Sequence, residues 1–164
     1  MKELVSVAPT LKIKWKGIFD AKELFRNIKL WLEYQGYGDE TKNFYESQYV
    51  ERVKGDSKQV EAVWVCQKDK GEYFAYLIEI KFRILELRDI ETEIKGRKIK
   101  TQTGEVTIEI SGKLVKDRKN KWNSSLMQNF YDNYVVKDRF DANKIDLYEK
   151  IYNLHDEIKT YLSM

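Results

Sequence analysis

The residue types that most often carry chemistry are nearly missing from this chain. Its 164 residues hold one histidine, one cysteine and one proline. A single histidine, His155, excludes metal sites with several imidazole ligands and any mechanism that needs two. A single cysteine, Cys66, excludes an internal disulfide and a cysteine-rich zinc site; on a strand it reads as a small core residue. No apolar run approaches the roughly eighteen residues that cross a bilayer as a helix. Residues 1–9 hold too short an apolar stretch for a secretory signal. Nucleophile motifs, phosphate-cradling glycine loops and dinucleotide fingerprints do not occur. These absences lead to the expectation of a soluble cytoplasmic protein, one domain over residues 1–164, with no cofactor and no metal.

What is present is alternation. From 59 to 116 apolar and charged residues trade places, broken by turn signals at Asp69-Lys70-Gly71 and at Gly96. A period of two places every second side chain on one face, so this block predicts an antiparallel sheet with one dry face and one wet face. Residues 43–53 and 60–67 predict two strands joined at Lys54-Gly55-Asp56. Phe74, Tyr76, Ile78, Ile80, Phe82 and Ile84 alternate cleanly, then the phase slips at Leu85 and Leu87. That slip predicts a turn or bulge between Glu86 and Asp89. Gly96 and Gly104 predict a further hairpin around Ile99. Val106, Ile108, Ile110 and Leu114 predict the last long strand, where Gly112 stands in for a side chain on the same face, as at a bend or close approach. Ahead of the block, Leu11, Ile13 and Trp15 alternate with three lysines as a first strand, ended by Gly17. Val5 and Val7 extend it, with a break at Pro9.

Helical spacing stands on both sides of the sheet. Asp20 and Glu23 form a capping box, Phe19 and Leu24 a hydrophobic staple, and Leu24, Phe25, Ile28, Trp31 and Leu32 an apolar stripe. Gly36 supplies the stop, so a helix is expected over about 21–35. At the other end Ser124 and Ser125 open a helix in which Leu126, Phe130 and Tyr134 lie four apart. The pattern weakens over 137–140, Asp141 looks like a new cap, and Leu147, Ile151, Leu154, Ile158 and Tyr161 continue the stripe. The fold class is therefore α+β: a curved antiparallel sheet of about six to seven strands, one N-terminal helix, and a long C-terminal helix packed on it. No internal repeat or linker interrupts it.

The order of elements resembles the helix-grip arrangement of START-like lipid-transfer and cyclase domains. The matching pieces are the strand over 11–16, the helix opening at Asp20, the strands over 43–115 and the helix ending at Tyr161-Leu162. The resemblance covers nearly the whole chain and lies in organisation alone, without a diagnostic motif. Two departures stand out: 36–42 is too short for the family's second short helix, and the C-terminal helix breaks near 138–141. The resemblance implies a sheet wrapped on the C-terminal helix with a ligand cavity between them.

Candidate chemistry is thin. His155-Asp156 has the dipeptide of metal phosphohydrolases without the further histidines they require. Glu79-Ile80-Lys81 has the acid-x-lysine form of a nuclease strand, but Glu93-Ile94-Lys95 and Glu157-Ile158-Lys159 share it in a chain that is 35% charged, where such triplets arise by chance. Glu79, Glu86, Glu91, Glu93 and Glu109 could supply a carboxylate pair, yet all fall at polar phases of strands. The reading is a non-catalytic domain, with no catalytic residues, that holds a small apolar or amphipathic ligand or a protein partner between sheet and C-terminal helix. Its lining is expected from Tyr49, Trp64, Tyr76, Tyr134, Tyr148 and Tyr152, since tyrosine joins an apolar ring to a polar tip. The alternative is an RNA- or ribosome-associated protein. Residues 95–121 carry nine basic side chains against three acidic ones, and Arg97, Lys98, Lys100, Arg118, Lys119 and Lys121 would meet phosphates.

Overall fold

A computed structural model describes residues 1–38 and 43–163. The four residues after Gly38 therefore lie outside the described residues, and with them most of the stretch judged too short for a second helix. The described chain is an α+β fold with six strands in one open antiparallel sheet. Its elements are β1 (Glu3–Ser6), β2 (Leu11–Ile18), α1 (Ala21–Tyr34), β3 (Phe44–Lys54), β4 (Ser57–Lys70), β5 (Phe74–Ile94), β6 (Arg97–Lys116), α2 (Ser125–Phe130) and α3 (Lys137–Tyr161). A π-helical turn, Tyr131–Val135, joins α2 to the start of α3. Strand order is β1-β6-β5-β4-β3, and β2 continues along β6 where β1 leaves off. Pro9 falls in the break between β1 and β2, where its missing N–H costs no ladder bond.

The alternation does what a period of two requires. Ile13, Val60, Ala62, Trp64, Ile78, Ile80, Phe82, Ile108 and Ile110 are buried on one face. The opposite face carries Lys12, Lys14, Glu61, Lys81, Arg83, Glu105 and Glu109. The predicted phase slip is a bulge: pairing jumps between Leu85 and Arg88, with Glu86 at φ 52°. The hairpin expected between Gly96 and Gly104 is not there. Lys95 and Gly96 both take positive φ, as a two-residue type I′ turn demands, and β6 then runs unbroken to Lys116. Gly104 sits opposite the bulge, where a β-carbon would lie 3.1 Å from the Leu85 carbonyl oxygen and 3.3 Å from the Leu87 Cα. Its lack of a side chain serves a close backbone approach, not a turn.

The first helix forms as its caps dictate. The Asp20 carboxylate accepts from the Glu23 amide at 3.1 Å. At the far end the Tyr37 amide donates to Leu32 and the Gly36 amide to Glu33, the paired bonds of a Schellman stop, with Gly36 at φ 84°. Ala21, Leu24, Ile28 and Leu32 are the buried stripe. The C-terminal break falls at Val136, not over 138–141: α3 starts at Lys137, so Asp141 lies inside it and caps nothing. Leu147, Ile151, Leu154 and Ile158 face the sheet, fully buried.

Two buried polar atoms among the described residues have no hydrogen-bond partner, Trp15 Nε1 and the Tyr37 hydroxyl. Burial, then the nearby Asp146 carboxylate, pushes the Tyr37 phenol well above its ordinary range. An unpaired buried hydroxyl is a net cost. Tyr37→Phe is expected to raise stability by about 1 kcal/mol, visible as a thermal midpoint roughly 3 °C higher. A lower midpoint would show that the hydroxyl is used.

Candidate functional site

A groove of about 480 Å³ lies between α1 and the β3–β4 pair. Its floor is aromatic. Trp64 stands directly opposite Glu46 in the β3–β4 register, and its indole N–H donates to Glu46 Oε2 at 2.8 Å, which fixes the ring. Phe25 packs edge-on to Phe82 at 4.9 Å and tilted against Trp64 at 5.6 Å, while Phe44 meets Trp64 edge-on at 5.3 Å. Half-exposed Leu30 and Tyr49 complete the apolar lining.

The wall is cationic because of helix geometry. Lys22, Arg26 and Lys29 recur at spacings of four and three, beside the buried stripe of α1, and so share one flank. The Lys29 ammonium lies 5.4 Å from the Phe44 ring centre and 5.6 Å from that of Trp64, within cation–π range. Arg26 reaches Glu23 at 3.3 Å on the open surface, a contact of little strength. Glu33 and Glu46 are the acids of the lining, and Glu46 is already engaged by Trp64. Burial and the neighbouring Glu51 carboxylate push the Tyr49 phenol up, so it stays a neutral hydroxyl. Such a surface can hold an apolar body along the rings and an anionic group at the wall.

The six expected ligand residues do not converge. Tyr49 and Trp64 line the groove. Tyr76 is wholly buried, and its hydroxyl donates to Asp146 Oδ2 at 2.8 Å and approaches Asn143 Oδ1 at 3.1 Å, tying β5 to α3. Tyr148 and Tyr152 pack on each other along α3, with ring centres 4.7 Å apart, and Tyr148 is exposed. Tyr134 points to solvent. Between sheet and α3 the contact is closed at Gly112, where Ile151 occupies the place of the missing side chain. Of the six, Tyr49 and Trp64 line the groove beside α1, and the other four lie elsewhere.

The basic residues also part company. Arg97, Lys98 and Lys100 begin the 20-residue strand β6, and Arg118, Lys119 and Lys121 follow its far end. At about 3.3 Å per residue that is roughly 60 Å of chain. Across the ladder Lys98 faces Glu93 and Lys100 faces Glu91. Arg118 pairs with Asp69 at 3.5 Å, and Lys119 with Glu72. The acids that offset this stretch come from the neighbouring strand and turn, which a charge count along the chain does not see. Glu79 and Lys81 form an ion pair of 3.5 Å on the solvated face, where Lys12 also reaches Glu109. His155 Nδ1 lies 3.3 Å from Asp156 on α3.

A polar cluster that sequence reasoning missed anchors the C-terminal helices. Asp132, in the π-turn, accepts from the Tyr73 hydroxyl and from Lys116 at 3.0 Å, and Lys116 also reaches Glu3 at 2.9 Å. Burial disfavours the Lys116 charge, but the Glu3 and Asp132 carboxylates outweigh it and hold the ammonium above its ordinary range. Tyr73 is pushed up by burial and by Asp132. Both shifts favour the charged ammonium of Lys116 and the neutral phenol of Tyr73. Asp117 and Gln128, also buried, hold the Met1 α-amino group at 2.8 and 2.7 Å. The signal available in sequence was Lys22, Arg26 and Lys29 at helical spacing beside Phe25; for the polar cluster there was none, because its members are distant along the chain.

No protein-family model matches this chain, and no curated protein sequence matches it. No helix among the described residues is long and apolar enough to cross a membrane.

Proposed function

We propose that this chain is a non-catalytic binding domain that takes a small amphipathic ligand, an apolar body with an anionic end, in the groove of α1. The observation that supports this reading most is the pairing of an aromatic floor, Phe25 and Trp64, with a cationic wall, Lys22, Arg26 and Lys29, around about 480 Å³ of space. That volume lies within the range of small-molecule sites. The floor takes up the apolar part; the wall sets orientation. This reading puts the ligand beside α1 and not over Gly112, where the Ile151 side chain fills the space.

The test is titration with a fluorescent long-chain carboxylate. Binding in the micromolar range is expected, with quenching of Trp64. Leu30→Asp, at a half-exposed position, should leave the fold intact and weaken binding at least tenfold, about 1.4 kcal/mol. Arg26→Glu should weaken the carboxylate and spare the matching uncharged alcohol. Equal affinity of Leu30→Asp and the parent chain would remove the groove from consideration.

A further inference from the structure

The open sheet has two long edge strands, and they are guarded unequally. β2 pairs with β6 alone and carries Lys12, Lys14 and Lys16 at alternate positions. Lysines on an edge discourage a further strand. The opposite edge is β3, which among the described residues pairs with β4 alone. Past the bulge between Glu46 and Gln48, β3 runs on to Lys54 with no proline and no second bulge. Tyr45 is 66% exposed, Tyr49 51% and Val53 70%, so this edge shows apolar side chains to water.

The register tells which backbone groups are open. Lys54 and Ser57 flank the two-residue turn Gly55-Asp56, so they bond to each other, and bonded pairs then fall at every second residue. Arg52, Val50 and Gln48 thus turn their N–H and C=O groups to β4. Tyr49, Glu51 and Val53 turn theirs outward. Tyr49 also lines the aromatic groove beside α1. Open backbone and groove therefore meet at one residue.

We propose that an extended segment of another protein, apolar and acidic by turns, adds to β3 as a further strand, antiparallel like every pair in this sheet. In that pairing the residues bonded to Tyr49, Glu51 and Val53 place their side chains on the groove's face. An apolar one meets Leu30, Tyr49 and the rings of the floor; an acidic one meets the flank of Lys22 and Arg26. Main-chain bonds supply affinity and alternate side chains supply specificity. The proposal rests on the groove reading for those side chains and adds the strand edge, so the amphipathic ligand becomes part of a protein partner.

Charge selects this occupant over a second copy. Two β3 edges paired about a two-fold axis keep the same face of both sheets on one side. The second copy would then set its own cationic flank opposite this one, like charge toward like charge. It would bring no free acid on that face of β3, since Glu46 is bonded to Trp64 at 2.8 Å and Glu51 to Lys58 at 3.2 Å. A segment of another protein brings its own carboxylates.

The test uses a short, capped, fluorescent peptide in which threonine alternates with leucine and glutamate. Anisotropy on the full chain should give a Kd between about 10 and about 100 μM. N-methylation of the leucine and glutamate amides, which point at β3, should weaken binding about tenfold or more; N-methylation of the threonine amides, which point away, should change it less than about twofold. Lysine in place of glutamate should weaken it about tenfold. Val53→Pro removes one outward N–H and no bond to β4. It should keep the circular dichroism of the parent, weaken the peptide, and spare the long-chain carboxylate. Equal effects of the two N-methylated sets overturn the inference. So does a chain that binds the carboxylate and not the peptide, which would leave the groove reading standing. A chain that dimerises alone and becomes monomeric with Val53→Pro overturns it as well, and assigns the edge to a second copy. Peptide binding that keeps its N-methylation pattern in Leu30→Asp at parental affinity would retain the added strand and remove the groove.

Discussion

Asp117→Ala is expected to lower stability at pH 7 by about 3 kcal/mol, seen as a thermal midpoint roughly 10 °C lower. The carboxylate is 2% exposed and accepts from three donors: the Met1 α-amino group at 2.8 Å, the Lys121 amide at 2.9 Å and the Trp122 amide at 3.0 Å. Alanine leaves all three without this acceptor. It also places a β-carbon residue at φ 49° with no side-chain bond to compensate, a conformation that aspartate and asparagine tolerate better. Asp117→Asn keeps one acceptor oxygen and that tolerance, so its loss should be about half as large. The two substitutions separate hydrogen bonding from backbone conformation.

The pH dependence carries a sign. Burial alone would raise the Asp117 pKa, but the Met1 ammonium and the two amides outweigh it and hold the carboxyl below its ordinary range. A depressed folded pKa stabilises above the unfolded value, about 3.9, and this stabilisation fades as pH falls through the folded value. The gap between parent and Asp117→Ala should thus be full at pH 5 to 7 and narrow below about pH 4. A gap that holds constant down to pH 2 would mean that the carboxylate charge contributes nothing.

The sheet was legible because its cause is local. Alternation fixes which side chains share a face, and Leu85 and Leu87 betray the bulge because two apolar residues at consecutive odd positions break the phase set by Ile84. The cap at Asp20 and the stop at Gly36 are likewise written within a few residues of their effect. The Gly104 error shows the limit: a glycine in a strand signals either a turn or a close approach, and only the chain opposite, here Leu85 to Leu87, decides. The C-terminal segment misled for the same reason. Leu126, Phe130 and Tyr134 at spacing four form an apolar stripe, and a stripe is ordinarily the buried side. Which side faces in was set by Asp132 and Gln128 finding Lys116, Tyr73 and Met1, partners far off in sequence. The aromatic groove was half legible: Tyr49 and Trp64 were named, but their wall on α1 follows from how that helix lies on β4, and no spacing rule gives that.

The packing of α3 on the sheet offers the other large effect, and it is a coupled one. A β-carbon on Gly112 would stand 2.0 Å from Ile151 Cδ1 and 3.0 Å from Ile151 Cγ1, a contact no side chain can keep. Ile151 is wholly buried among Leu147, Leu154 and the sheet, so it has little room to turn away. Gly112→Ala is expected to cost about 2 kcal/mol by overpacking. Ile151→Ala should cost about 3 kcal/mol through lost burial and the cavity left behind. Together they should cost no more than Ile151→Ala alone, because the new methyl enters the space that the isoleucine gave up. Independent sites would add to about 5 kcal/mol, so the cycle predicts a coupling of about 2 kcal/mol, readable from urea unfolding of the four proteins. Simple additivity would mean that α3 does not sit on Gly112, and the closed sheet–helix contact that moves the ligand groove to α1 would lose its support. A coupling of the expected size would establish that the Ile151 side chain fills the space over Gly112.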